Sequence, residues 1–158
     1  MSDIGNPRGT GIDLGHGQSV SERIFILEDN KERLQWFSKI FEGSGCTLEV
    51  AETVEKAREL LSNNKYSMLF LDHDLGGEQY VDIEHENTGT QLVKWLIDNM
   101  LQKQSGIVIH SQNPVGSTAM FNMLDITGYQ VLVIPFTQLY HEYQKHLEEE
   151  AEERGKTV

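Results

Sequence analysis

Five short apolar runs punctuate the chain, and the most telling of them end abruptly in polar residues. Ile24-Phe25-Ile26-Leu27 stops at Glu28-Asp29-Asn30, Met68-Leu69-Phe70-Leu71 at Asp72-His73-Asp74, and Ile107-Val108-Ile109 at His110-Ser111. Thr47–Ala51 and Val131–Ile134 complete the set. Continuous rather than alternating apolarity predicts strands buried on both faces. Between the runs, apolar residues recur at helical spacing. Asn30 caps a predicted helix over Lys31–Glu42 with Leu34, Phe37, Ile40 and Phe41 on one face. Thr53 caps a second through Asn63, with Val54, Ala57, Leu60 and Leu61 inward. Thr88, with Gln91 at capping-box spacing, opens a third that buries Leu92, Val93, Leu96 and Met100. Asn113-Pro114 opens a fourth, packed through Met120, Phe121 and Leu124. A fifth spans Gln138–Arg154, with Leu139, Tyr143 and Leu147 inward.

Strands that alternate with helices predict an α/β domain: a parallel sheet with helices on both faces. Right-handed crossovers leave the flavodoxin-like strand order 2-1-3-4-5 for five strands. Ligands of such sheets bind beyond the carboxyl ends of the strands, at the switch point between strands one and three. The domain is expected over residues 22–147. Residues 1–21, rich in Gly, Ser and Asp without an apolar period, read as a disordered tail that includes a solvated His16. Residues 148–158 read as the acidic end of the last helix and a tail. The acidic stretch Gly76–Asn87 is long for a connection and reads as a lid or an unstructured loop.

Charge narrows the partners. A formal net charge of −12 disfavours nonspecific attraction to nucleic acid or anionic lipid. A phosphate ligand therefore needs a bound cation, or a local basic or amide patch. Cys46 is the only cysteine, which rules out an intramolecular disulfide. No apolar run approaches the ~18 residues of a membrane span, and no secretory signal is visible. A cytoplasmic protein without membrane contact is expected.

On this map Glu28, Asp29, Asp72 and Asp74 converge on one edge of the sheet, with His110 and Ser111 on the neighbouring strand. Several carboxylates at one point repel each other unless a cation compensates. Oxygen-rich clusters of this kind suit Mg2+ or Mn2+. In extended backbone Asp72 and Asp74 point to one side and His73 to the other. His110 or His73 is a candidate general acid or base. Ser111 has the choice of a phosphoryl oxygen or its own loop. His85, His141 and His146 read as solvated residues.

These residues carry a resemblance. The stretch Arg23–Phe136 resembles the receiver domain of two-component response regulators, with its CheY-like fold. Glu28-Asp29 ends the first strand, Asp72 occupies the phosphoacceptor place, and Pro135-Phe136 resembles the Lys-Pro-Phe signature after strand five. The resemblance implies Mg2+ held by the acids and a phosphoryl group accepted by Asp72. Asp74 falls where a receiver offers a backbone carbonyl to the metal. Ile134 stands where the signature has Lys, and His110-Ser111 where a receiver has Thr or Ser followed by a small residue. Leu71-Asp72-His73-Asp74-Leu75-Gly76 and His110-Ser111-Gln112-Asn113-Pro114 look like a divergent receiver branch proposed to process cyclic phosphates, associated with RNA repair and conflict systems.

That branch implies a metal-dependent phosphoesterase acting on a cyclic phosphate of a nucleotide or an RNA end. Asp72, His73, His110 and Ser111 form its candidate catalytic set, and Glu28, Asp29, Asp72 and Asp74 its candidate metal set. Two alternatives stand beside it. One is a phosphoacceptor module served by a partner kinase or effector, with no DNA-binding domain attached. The other is an inert pseudo-receiver that binds a partner protein.

Overall fold

The computed structural model describes residues 22–77 and 80–156. The expected tail over residues 1–21, with His16, lies outside the described residues. Strands β1 (Arg23–Leu27), β2 (Thr47–Ala51), β3 (Met68–Leu71), β4 (Gly106–Ile109) and β5 (Gln130–Val133) alternate with five helices. These are α1 (Lys31–Ile40), α2 (Val54–Asn63), α3 (Gly89–Asp98), α4 (Pro114–Ile126) and α5 (Phe136–Lys156). The strands form one parallel sheet in the order β2-β1-β3-β4-β5, as expected.

The apolar runs of β1, β3 and β4 are buried on both faces because successive side chains enter opposite layers. Phe25, Leu27, Leu69, Leu71, Ile107 and Ile109 join one cluster with Leu61, Leu92, Leu96 and Met120. Ile24, Ile26, Phe70 and Val108 join the other with Trp36 and Phe37 of α1. The helices start where the caps are: Asn30, Thr53, Thr88 and Asn113 each accept a bond from a backbone N–H of the first turn. The expected capping box at Thr88 is half formed. Thr88 accepts from Gln91 N, but the Gln91 side chain donates to Ile83 O in the acidic loop.

Three expectations fail at element ends. Met100, read as inward, is 75% exposed, because α3 ends at Asp98 and Met100 turns the chain at φ +52°. Edge strand β5 is not sealed on both sides: Leu132 is 61% exposed. Helix α5 runs two residues beyond each expected end and has no fully buried residue, although Leu139 and Tyr143 pack on the α1 cluster. No helix among the described residues is long and apolar enough to cross a membrane.

Register is what positions the site. Leu27 pairs with Leu71, Leu71 with Ile109, and Ile109 with Val133. The next residues, Glu28, Asp72, His110 and Ile134, therefore form one row at the carboxyl edge. Their backbone N–H groups continue the ladder: Asp72 donates to Leu27 O, His110 to Leu71 O, and Ile134 to Ile109 O.

Candidate functional site

Glu28 stands at the β1 end of this row and is wholly buried. A carboxylate can enter such a place only if its oxygens are bonded. Its Oε2 accepts from the N–H groups of Asp29 (3.1 Å) and Asn30 (3.0 Å), and its Oε1 lies 2.9 Å from His110 Nε2. Burial alone would raise the Glu28 pKa. His110, the Asn30 N–H and Arg33 outweigh it and hold the carboxyl below its ordinary value. Glu28 is thus an anion that fixes the proton of His110 on Nε2. The His110 ring is buried against Phe37 (5.3 Å between centroids), and its Nδ1 has no partner among the described residues.

Asp72 is nearly buried, and its Oδ1 accepts from His73 N at 2.8 Å. Its pKa is pushed up to about 6, chiefly by burial and further by the Glu28 charge, against the opposing pull of His110, the His73 N–H and Arg33. One atom each of Glu28, Asp72 and His110 lies within 4.8 Å of the others. Asp29 does not join this tight group but lines the same cavity of about 440 Å³, where its Oδ2 accepts from Gly77 N at 2.8 Å.

Asp74 also borders the cavity, but its oxygens are already engaged. Oδ1 accepts from His73 Nδ1 (2.9 Å), Asn113 Nδ2 (3.0 Å) and Val81 N (3.0 Å), and Oδ2 from Tyr80 N (2.7 Å). Burial would raise its pKa, and these donors bring it below the ordinary value instead. Asp74 folds the acidic loop. Asn87 adds a further tie through its Oδ1 to Val54 N, so the described part of this loop is pinned to the domain. His85 is exposed and accepts from Asn87 N.

His73 turns the other way, as alternation in an extended chain expects. Its ring is fully buried and does not border the cavity. It lies under the first turns of α4, where a Cβ on Gly116 would stand 2.4 Å from His73 Cγ. Only glycine permits that approach. Ser111 is separated too: its Oγ accepts from Asn113 N at 3.0 Å, and it borders a different groove, toward α4 and β5.

The structure adds one residue that the strand-end pattern does not mark. Arg33, in the first turn of α1, reaches back over the cavity with Nη1 3.5 Å from Glu28 Oε1 and 3.7 Å from Asp72 Oδ2. A cation in the first turn opposes the helix dipole. That local mismatch is the sequence signal that points to it.

Solved structures share this architecture at low sequence identity. A CheY-like response regulator receiver domain from Methanospirillum hungatei matches with a TM-score of 0.56 and 18% identity, over 85% of this chain and 99% of that one. The signal receiver domain of a Vibrio parahaemolyticus LuxO repressor protein matches with a TM-score of 0.54 and 17% identity, over 85% and 96%. The response regulator TrrA from Thermotoga maritima, solved in complex with Mg2+ and BeF, matches with a TM-score of 0.52 and 18% identity, over 78% and 97%. No curated protein sequence matches the chain. The family model of the cyclic-phosphate processing receiver domain matches residues 23–126, from β1 through α4. That span holds every carboxylate and histidine of the carboxyl edge and stops before the Ile134 position. The chain therefore belongs to the cyclic-phosphate processing receiver domain family.

Proposed function

We propose that this receiver domain is a metal-dependent phosphoesterase that opens a cyclic phosphate of a nucleotide or an RNA end. The observation that carries the reading is the buried Glu28–His110 pair beside a carboxyl, Asp72, that burial and the Glu28 charge push up to about 6. The carboxylates of Glu28 and Asp72 so close, with that of Asp29 on the same cavity, fit a hard divalent ion such as Mg2+ or Mn2+. Asp72 and Asp29 would hold the ion from the cavity wall, with Glu28 behind them. Such an ion, when bound, would supply Lewis acidity toward a phosphoryl oxygen and a water.

The protein's own groups do the rest. Glu28 and His110 hold each other in the buried layer behind Asp72, and the pair sets the charge around that carboxylate. Asp72 either orients the attacking water or attacks phosphorus itself through a carboxylate oxygen. His73, Asp74 and Ser111 shape the turns that present these groups. A phosphoacceptor reading, with a partner kinase supplying Asp72, is supported by the place of Asp72 at the end of β3 in the fold of the solved receivers.

Phosphorus NMR separates the two. The full chain, with Mg2+ or Mn2+, is given 2′,3′-cyclic nucleotides and, separately, acetyl phosphate. Ring opening that disappears in Asp72→Ala and falls in His110→Ala is the expected result. Acid-labile labelling of Asp72 without ring opening would replace the phosphoesterase reading by the phosphoacceptor one.

A further inference from the structure

We infer that Arg33 is the phosphoryl-binding cation of this site, held over the cavity by stacking on Phe136. The inference rests on the phosphate reading above and adds to it the residue that recognises the anion.

Three observations converge. First, the row at the carboxyl edge ends in Ile134, a partly buried apolar side chain packed on the α1 cluster, so β5 offers no charge to the cavity. Second, the Arg33 guanidinium lies 4.9 Å from the centroid of the Phe136 ring, which fixes a long side chain that would otherwise be mobile. Phe136 is itself held by its N–H bond to His110 O (2.9 Å) and by edge contact with Trp36, 4.9 Å between centroids. Third, Nη1 stands 3.5 Å and 3.7 Å from the two carboxylates, beyond the length of a direct charged hydrogen bond. Arg33 thus faces Asp72 without being consumed by it.

Arginine suits the task. Its planar fork offers two parallel donors to two phosphoryl oxygens, a geometry that a lysine ammonium lacks. In a chain of net charge −12, a cation fixed on the cavity wall also supplies the local attraction that an anionic substrate needs. Apart from His110, Arg33 is the basic side chain that the described residues bring into ion-pair range of Glu28 and Asp72.

Beryllium fluoride, a phosphoryl mimic, tests this on the full chain without turnover. Calorimetry gives Mg2+ affinity, and Trp36 fluorescence follows the mimic on the Mg2+-loaded protein, because Trp36 touches the ring on which Arg33 stacks. Arg33→Ala is expected to weaken the mimic about tenfold or more, while Mg2+ binds as well as in the wild type or better. Arg33→Lys should recover part of the loss. An Arg33→Ala protein that binds the mimic within about twofold of the wild type overturns the inference and leaves the metal site standing. A wild type that binds Mg2+ but not the mimic overturns it as well. A wild type that binds neither removes the phosphate reading with it.

Discussion

The two ends of this sheet are both lined with charged and polar side chains, yet they are built to opposite rules. At the amino end, Glu49 is paired with Arg23 and accepts from Tyr66 Oη at 2.6 Å. Ser105 Oγ donates to Tyr66 O (2.6 Å), and Gln102 bridges Tyr66 N, Leu61 O and Asn64 O. The charges and amides there meet partners from this same network. At the carboxyl end, Glu28 and Asp72 share a cavity with Asp29, a stacked arginine holds off at 3.5 Å or more, and a ring nitrogen of His110 goes unpartnered. The first end is finished as folded. The second keeps a cavity open among its charges, and this difference separates a closed polar network from a candidate site.

The sharpest break of the comparison is Asp72→Asn. On the phosphoesterase proposal, turnover of a 2′,3′-cyclic nucleotide should fall by at least about a hundredfold, because the charge proposed to hold the metal is gone. Metal-free stability should move the other way. Folded Asp72 keeps its proton to about 6 against an ordinary 3.8, so the wild type loses stability as pH rises through that window and the Asn variant does not. Urea unfolding at pH 7.5 should show the variant more stable by on the order of 2 kcal/mol, with the gap closing below about pH 4. Equal stabilities at both pH values would refute the crowding of this edge.

His110→Ala should destabilise the protein by about 3 kcal/mol in urea, since it strands the buried Glu28 carboxylate without its partner. A loss no larger than that of a surface substitution would show that the pair is not what holds Glu28 there. Gly116→Ala should cost about 2 kcal/mol by driving a methyl group into the His73 ring, read as a lowered melting temperature. If it is tolerated, α4 does not depend on that contact.

Metal binding sharpens the same contrast. Mg2+ affinity should drop about tenfold per pH unit below 6, with one proton released per ion, because the metal must displace the Asp72 proton. Calorimetry in two buffers of different ionisation enthalpy counts that proton. The smallest effect is expected at the other end. Glu49→Gln should lower stability slightly and leave Mg2+ affinity unchanged. Its pH dependence has the reverse sign: burial would raise the Glu49 pKa, but Tyr66 and Arg23 bring it below 4.5. Its stabilisation is therefore complete above 4.5 and lost as pH falls through the lower folded value.

The apolar pattern along the chain specifies the sheet and the row of residues at its edge. An apolar run can be buried on both faces only as an inner strand, and the polar residue that ends it must leave the core there. Glu28, Asp72 and His110 were legible for that reason, and Asn30, Thr53, Thr88 and Asn113 as caps. What the pattern left open was side-chain direction and long-range pairing. His73 turns under α4 because Gly116 leaves room for its ring, a fact 43 residues away in sequence. Asp74 is occupied by donors from the loop and from Asn113, and Ser111 faces another groove. Arg33 reaches the site only because α5 begins where its Phe136 can carry the guanidinium. Apolar periodicity records which residues leave water, so it specifies layers and edges. Which polar groups meet at an edge depends on contacts between distant segments, and tertiary packing alone decided those.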